Sequence, residues 1–166
     1  LYPPWDWGQN FAGRTQTLWT AAEFSPSPRT LTGFDWYYQA SGSAATVTNV
    51  TINLGHHEPG DTGVNPLTTN FTSNFKDNPV TVVSNLATYA IPLNTATGSW
   101  LAGPQFTNNF KYNGSDNLLF ELYVTTDTMG LRPTPSVIAG AWGFMNGNFM
   151  RTVWTQPSWW QGGATT

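Results

Sequence analysis

The chain has 166 residues, of which 9% are charged and 15% are aromatic, and it contains no cysteine. Soluble domains usually carry about 25% charged residues, so Gly, Pro, Asn and Thr here take positions that Lys and Glu normally fill, and a disulfide framework is excluded. The net charge of -3, from 6 basic and 9 acidic side chains, argues against binding to nucleic acid or to anionic lipid.

The length is sufficient for one hydrophobic core. We therefore expect residues 1–166 to form a single β-sandwich domain with irregular segments rich in Trp and Pro at both ends. Low charge combined with abundant Thr and Asn is typical of proteins outside the cell, so we expect an extracellular or cell-surface location. No stretch of the sequence approaches a transmembrane helix in length, so we expect no membrane insertion.

Short segments with period-two alternation or β-branched residues recur along the chain at close spacing, which predicts an all-β protein. The first predicted strands are residues 31–39, 46–54, 80–83 and 87–93, the last of them limited by Pro92. In residues 46–54 one face carries Val50, Ile52 and Leu54, whereas the other carries Val47 with Asn49, Thr51 and Asn53. We expect only the first face to be buried.

Residues 113–117 (NGSDN) predict a tight turn, because these residue types tolerate left-handed backbone or bond back to it. A strand ending at Tyr112 precedes the turn, and Leu118 begins an apolar alternation that runs to Val124 behind it. The pattern predicts a hairpin whose second strand is half buried. Asn146-Gly147-Asn148 predicts a second hairpin between residues 137–145 and 149–154.

Several blocks of the chain resemble a domain found in many large secreted and surface proteins of environmental bacteria. In that family a strand ending in LGH precedes an aromatic turn of the form F-x-Y/W-x-G-x-x-N-L-L, and here these elements are residues 49–56 and 110–119. Residues 14–23 and Trp100 extend the resemblance over about residues 14–124. It implies a single antiparallel, jelly-roll-like β-sandwich without catalytic activity. This chain departs from the family at His57, where a small Ser or Thr is usual.

One dense cluster of metal-ligand side chains is present, His56-His57-Glu58 with Asp61. Neighbouring residues of a strand point to opposite faces, so we do not expect His56 and His57 to share a zinc ion. Calcium bound through Asp61, Asp127 or loop carbonyls is the alternative, because carboxylates and carbonyls are its usual ligands. We predict no other cofactor.

A glycosidase would need two carboxylates across a cleft. Asp35 next to Trp36 is the one suggestive placement, whereas Glu121 lies inside a predicted strand. The chain has no Cys nucleophile, no Gly-x-Ser-x-Gly motif and no phosphate-binding loop. We therefore predict that the protein is not an enzyme and has no catalytic residues.

Aromatic residues outside the expected core are the candidate binding residues, because soluble proteins rarely expose such groups in clusters. They are Trp5, Trp7, Tyr37, Trp154, Trp159 and Trp160. The favoured hypothesis is a structural or adhesive subunit that docks onto copies of itself, or onto other proteins of a surface assembly such as a filament or layer. The alternative is a carbohydrate-binding module whose aromatics hold polysaccharide. A lesser alternative is a viral coat-type jelly roll.

Overall fold

The computed structural model describes residues 13–38, 45–59, 67–91, 99–127 and 151–155. Within these ranges strands dominate and every pairing is antiparallel, so the predicted all-β class is confirmed. No helix of these ranges has the length and apolar character needed to cross a membrane. The elements are β1 (Gly13–Trp19), α1 (Ala21–Phe24), β2 (Arg29–Leu31), β3 (Asp35–Tyr38), β4 (Ala45–His57), a 3-10 turn (Phe71–Asn74), β5 (Val80–Ile91), β6 (Ser99–Ala102), β7 (Phe110–Tyr112), β8 (Asn117–Asp127) and β9 (Arg151–Thr155).

The largest sheet has five strands in the order β5-β4-β8-β1-β9, and two smaller sheets pair β2 with β7 and β3 with β6. Strand β8 lies at the centre of the large sheet, where Glu121 stands opposite both Gln16 of β1 and Asn53 of β4. Partners across an antiparallel ladder share a face, so these three side chains lie on the same side of the sheet.

One face of the large sheet carries the hydrophobic core, and we call it the core face. It confirms the predicted alternation in β4 and β8, because Val50, Ile52 and Leu54 pack with the apolar residues of residues 118–124. Phe110 and Tyr112 of β7 belong to the same buried cluster. The small β2–β7 sheet therefore packs on the core face.

The opposite face is also covered, which corrects the expectation of half-buried strands. Residues 67–76, here called the strap, lie over it and contain the 3-10 turn. The Phe75 ring occupies the space that a side chain at Gly55 would fill. Leu119 and Glu121 of β8 are both buried on this side. We call it the strap face; burial there comes from a distant segment that period-two alternation cannot reveal.

The predicted hairpin around residues 113–117 is wrong, although the turn itself is present. Strand β7 pairs with β2, whereas β8 pairs with β1 and β4. The turn thus carries the chain from one sheet to another. Turn residues specify a reversal of the backbone, but the partner of each strand is decided by packing.

Two other strand predictions change in extent. The predicted strand 31–39 is divided into β2 and β3, and the predicted strands 80–83 and 87–93 form the single strand β5. Strand β5 is irregular: its register with β4 shifts near Val83, and Asn85 has a φ of 44°. Bulges of this kind are common in edge strands. The strand predicted at 149–154 is observed as β9, while residues 137–145 and 146–148 lie outside the described ranges.

Gly114 is the turn position that most requires glycine. Its φ is +80°, and an added Cβ would lie 2.5 Å from the Pro28 nitrogen. We therefore expect Gly114→Val to lower the free energy of unfolding by about 1–3 kcal/mol, measured by chemical denaturation. Gly33→Ala is the matched control, since nothing lies within 4 Å of a Cβ there. Equal stability of the two variants would contradict this interpretation of the turn.

Candidate functional site

The structure places two of the six candidate aromatics and leaves four outside the described residues. Tyr37 lies in β3 opposite Trp100 of β6, and Trp154 lies in β9 opposite Thr15 of β1. The four outside the described ranges are Trp5, Trp7, Trp159 and Trp160. Tyr37 and Trp154 therefore belong to different sheets.

The strand register brings the start of β1 and the end of β9 to one corner of the large sheet. Because β1 and β9 are antiparallel, Arg14 near the start of β1 stands opposite Thr155 at the end of β9. We call residues 1–8 the N-flank and residues 156–160 the C-flank. One residue spans at most about 3.5 Å, so Trp159 is tethered within about 14 Å of Thr155 and Trp7 within about 21 Å of Gly13.

Two side chains at this corner are accessible on the strap face. Tyr123 of β8 stands opposite Arg14, and 42% of its surface is exposed. The Arg14 side chain is 35% exposed, and its guanidinium lies 4.9 Å from the centroid of the Phe71 ring. We call Arg14 and Tyr123 the corner patch. Sequence reasoning missed Tyr123, because alternation gives its face but not the point at which the strap ceases to cover that face.

Beside the corner patch, the centre of the strap face holds a buried carboxylate. Glu121 accepts hydrogen bonds from Arg14 Nε at 2.8 Å, Gln16 Nε2 at 2.7 Å and Asn53 Nδ2 at 2.8 Å. These donors come from β1 and β4, the strands on either side of β8. The burial cost of a charged group is offset when several donors satisfy it, so this network explains Glu121 as a structural residue.

The same network holds the strap. Gln16 Nε2 also donates to the Phe71 carbonyl at 2.8 Å, and Gln16 Oε1 accepts from Asn74 Nδ2 at 2.7 Å. His57 Nδ1 lies 2.6 Å from the Asn74 carbonyl, which makes Nδ1 the donor. The polar residues of β1 and β4 were visible in the sequence, but their convergence on one carboxylate was not.

His56 lies on the core face, so the prediction that His56 and His57 point to opposite sides is confirmed. Its ring centroid is 5.0 Å from that of Phe110. The backbone N–H of Asn113 donates to His56 Nε2 at 3.3 Å. Burial lowers the pKa of His56, although the nearby carboxylates of Asp116 and Asp77 act in the opposite direction. His56 is thus held as a neutral hydrogen-bond acceptor.

Asp116 anchors the turn next to His56. It accepts from Asn113 Nδ2 at 2.9 Å and from Lys76 Nζ at 3.1 Å. Burial alone would raise the pKa of Asp116, but the two hydrogen bonds and the charge of Lys76 outweigh it and the pKa lies below the ordinary value. The hydrogen bond to Asp116 raises the pKa of Lys76. This cluster fastens the turn to the strap through an ion pair.

Of the two candidate calcium ligands, Asp61 lies outside the described residues and Asp127 ends β8, opposite Val47 of β4. In the part of the chain that the structure describes, no three His, Asp or Glu side chains are grouped to hold a metal ion. Calcium binding through these residues stays a prediction.

Comparison of the chain with protein-family models, with curated proteins and with solved structures found no match.

The buried carboxylate yields a stability prediction. Glu121→Gln removes the charge that Arg14 and the two amide donors share, and it places a new N–H group among donors. We expect the free energy of unfolding to fall by about 2–3 kcal/mol. Glu58→Gln is the control, because the Glu58 side chain is 64% exposed and its ion pair spans 3.6 Å. Equilibrium denaturation at neutral pH measures both, and equal effects would contradict the structural role of Glu121.

His56 yields a pH prediction. Its folded-state pKa is lowered from 6.5, so the unfolded chain binds more protons on the acid side. The contribution of neutral His56 to the free energy of unfolding is present in full above pH 6.5. It decreases as the pH falls from 6.5 to the lowered pKa of the folded state. His56→Gln retains an acceptor for the Asn113 N–H and does not titrate. Denaturation curves at successive pH values give the free energy of unfolding as a function of pH. Below pH 6.5 this free energy should fall less steeply for the variant than for the parent, and an equal slope would refute the lowered pKa of His56.

Proposed function

We propose that the protein is a non-catalytic structural or adhesive subunit that works outside the cell and assembles with copies of itself or with other surface proteins. The contacts would come from the N-flank and the C-flank together with Trp154. The proposal includes a single jelly-roll-like sandwich, in which the smaller sheets form the layer opposite the large one. The shared core of Phe110 and Tyr112 with β4 and β8 supports that arrangement.

The observation that carries the proposal is the common corner of the two flanks. Four tryptophans, Trp5, Trp7, Trp159 and Trp160, are tethered to neighbouring strands at one end of the sheet. Each tryptophan buries about 150–250 Å² when it is covered. Aromatic side chains within reach of the same end of the sheet would supply the apolar centre that a protein–protein interface needs.

The structural hydrogen bonds of the buried carboxylates support the same proposal. Glu121 is committed to the strap-face network, and Asp116 is committed to the turn. Asp35, the other acid weighed for catalysis, lies in β3 of a different sheet from Glu121. Structural partners thus account for Glu121 and Asp116, the carboxylates that are buried among the described side chains. The aromatic flanks are left as the part of the sequence that calls for an external partner.

Replacing Trp159 and Trp160 together by Ser tests the proposal. We expect the parent protein to form oligomers or larger particles and the double variant to be monomeric, because the flank loses its apolar area while the described strands are unchanged. Light scattering after size-exclusion chromatography measures the mass, and thermal unfolding verifies the fold.

The control is Lys111→Ser, an exposed position of β7 in another sheet, which should assemble like the parent. A double variant that assembles as the parent does would refute docking through the C-flank. If both proteins are monomeric and the double variant alone loses retention on insoluble polysaccharide, the carbohydrate-binding alternative is correct instead.

A further inference from the structure

His56 connects β4 to the turn of residues 113–117 through one ring nitrogen. Its Nε2 accepts the backbone N–H of Asn113 at 3.3 Å. A neutral imidazole carries one proton, so the proton of His56 is on Nδ1, which lies 4.0 Å from the Asp77 carboxylate. A second proton can therefore be added only at Nε2, the atom that holds the turn.

We propose that His56 is an acid-sensitive latch, which binds the turn to β4 when its ring is neutral and releases it when the ring is protonated. A proton at Nε2 converts the acceptor into a donor, and the N–H groups of His56 and Asn113 then face each other. The hydrogen bond is lost and the backbone of Asn113 and Gly114 moves away from β4. This second conformation belongs to the folded protein, and it does not depend on the proposed assembly.

The charges around the ring favour two distinct arrangements. The ionisable side chains that face it come from the turn, the end of the strap, the residue after the strap and β7, and they are Asp116, Lys76, Asp77 and Tyr112. Burial, the largest effect, lowers the pKa of His56 and keeps the ring neutral at pH 7, whereas the two carboxylates raise the pKa and Lys76 lowers it. Once protonated, the ring has Asp77 as an ion-pair partner on its Nδ1 side, away from Asn113.

Access to solvent makes the exchange between these arrangements feasible. The His56 side chain is 14% exposed, so a proton can reach it from water. Asn113 is exposed, so water can accept its N–H group after release. The distance of 3.3 Å is also longer than the 2.9–3.0 Å of most such bonds, so its loss costs little.

The remaining attachments of the turn keep the movement local. Tyr112 donates its hydroxyl proton to the Asp116 carbonyl at 2.7 Å, and Lys76 Nζ donates to the Asp116 carboxylate at 3.1 Å. The hydrogen bonds from Asn113 and Lys76 outweigh burial and hold the pKa of Asp116 below its ordinary value. Asp116 therefore keeps its charge while His56 is titrated, and the end of the turn stays attached to the strap.

Nuclear magnetic resonance of ¹⁵N-labelled protein tests the latch, from about pH 7.5 to about pH 4.5, a range that lies above the usual pKa of carboxyl groups. At the upper pH we expect the ring proton on Nδ1 and a nuclear Overhauser effect between the His56 ring and the Asn113 amide proton. As the ring titrates, that effect should disappear, and the amide resonances of Asn113 and Gly114 should shift with the midpoint of the ring. The amide resonances of Leu119 and Leu122 in β8 should stay unchanged.

Three results would overturn the proposal. They are a ring proton on Nε2 at the upper pH, a ring that stays neutral throughout the range, and turn resonances that do not follow the titration of the ring. The chain contains two histidines, and His57 lies on the strap face with its Nδ1 at the Asn74 carbonyl. A variant of His56 therefore separates their effects.

His56→Gln keeps an acceptor for the Asn113 N–H and does not titrate, so the turn resonances should no longer depend on pH. Asp77→Asn removes the carboxylate that attracts the protonated ring, and the midpoint should move to lower pH by about 0.2–0.7. Glu58→Gln is the matched control, because the ion pair of Glu58 is with Lys76 at 3.6 Å and the midpoint should stay. Turn shifts that persist in His56→Gln, or equal midpoints in Asp77→Asn and the parent, would refute the latch.

Discussion

The fold depends on the carboxylate of Glu121, buried at the centre of the large sheet. Its donors Arg14, Gln16 and Asn53 come from the two strands that flank β8, and Gln16 also binds the strap. A buried charge is costly unless all of its partners are in place. The network therefore fixes the register of three strands and the position of the strap together, which an apolar residue at this position would not do.

The start of β8, at the turn that precedes Asn117, is held by a different arrangement. Asp116 binds both the turn and Lys76, while His56 accepts from the Asn113 backbone. These contacts connect the strap to the corner at which the chain passes from β7 to β8. The strap is thus anchored at two places, under its 3-10 turn and at its final residue, and the sheet is covered on both faces although the domain has no disulfide.

The buried carboxylates and the aromatic flanks belong to different parts of the molecule. Glu121 is committed to the strap-face network and Asp116 to the turn. Trp5, Trp7, Trp159 and Trp160 belong to flanks whose neighbouring strands, β1 and β9, begin and end at one corner of the sheet, beside Tyr123 and Arg14. The proposed assembly role depends on these flanking segments and not on the buried polar networks.

Local patterns in the sequence determined the strand character of the chain, the core face of β4 and β8, the turn at 113–117 and its need for Gly114, and the opposite orientations of His56 and His57. These follow from side-chain alternation and backbone preference, which act over a few residues. Only the tertiary structure decided that β7 and β8 pair with different strands, that the strap covers the second face and that Glu121 accepts from three donors. It also decided that β1 begins and β9 ends at one corner, beside an exposed Tyr123. Each of these depends on contacts between residues far apart in the chain, and no local period records such contacts.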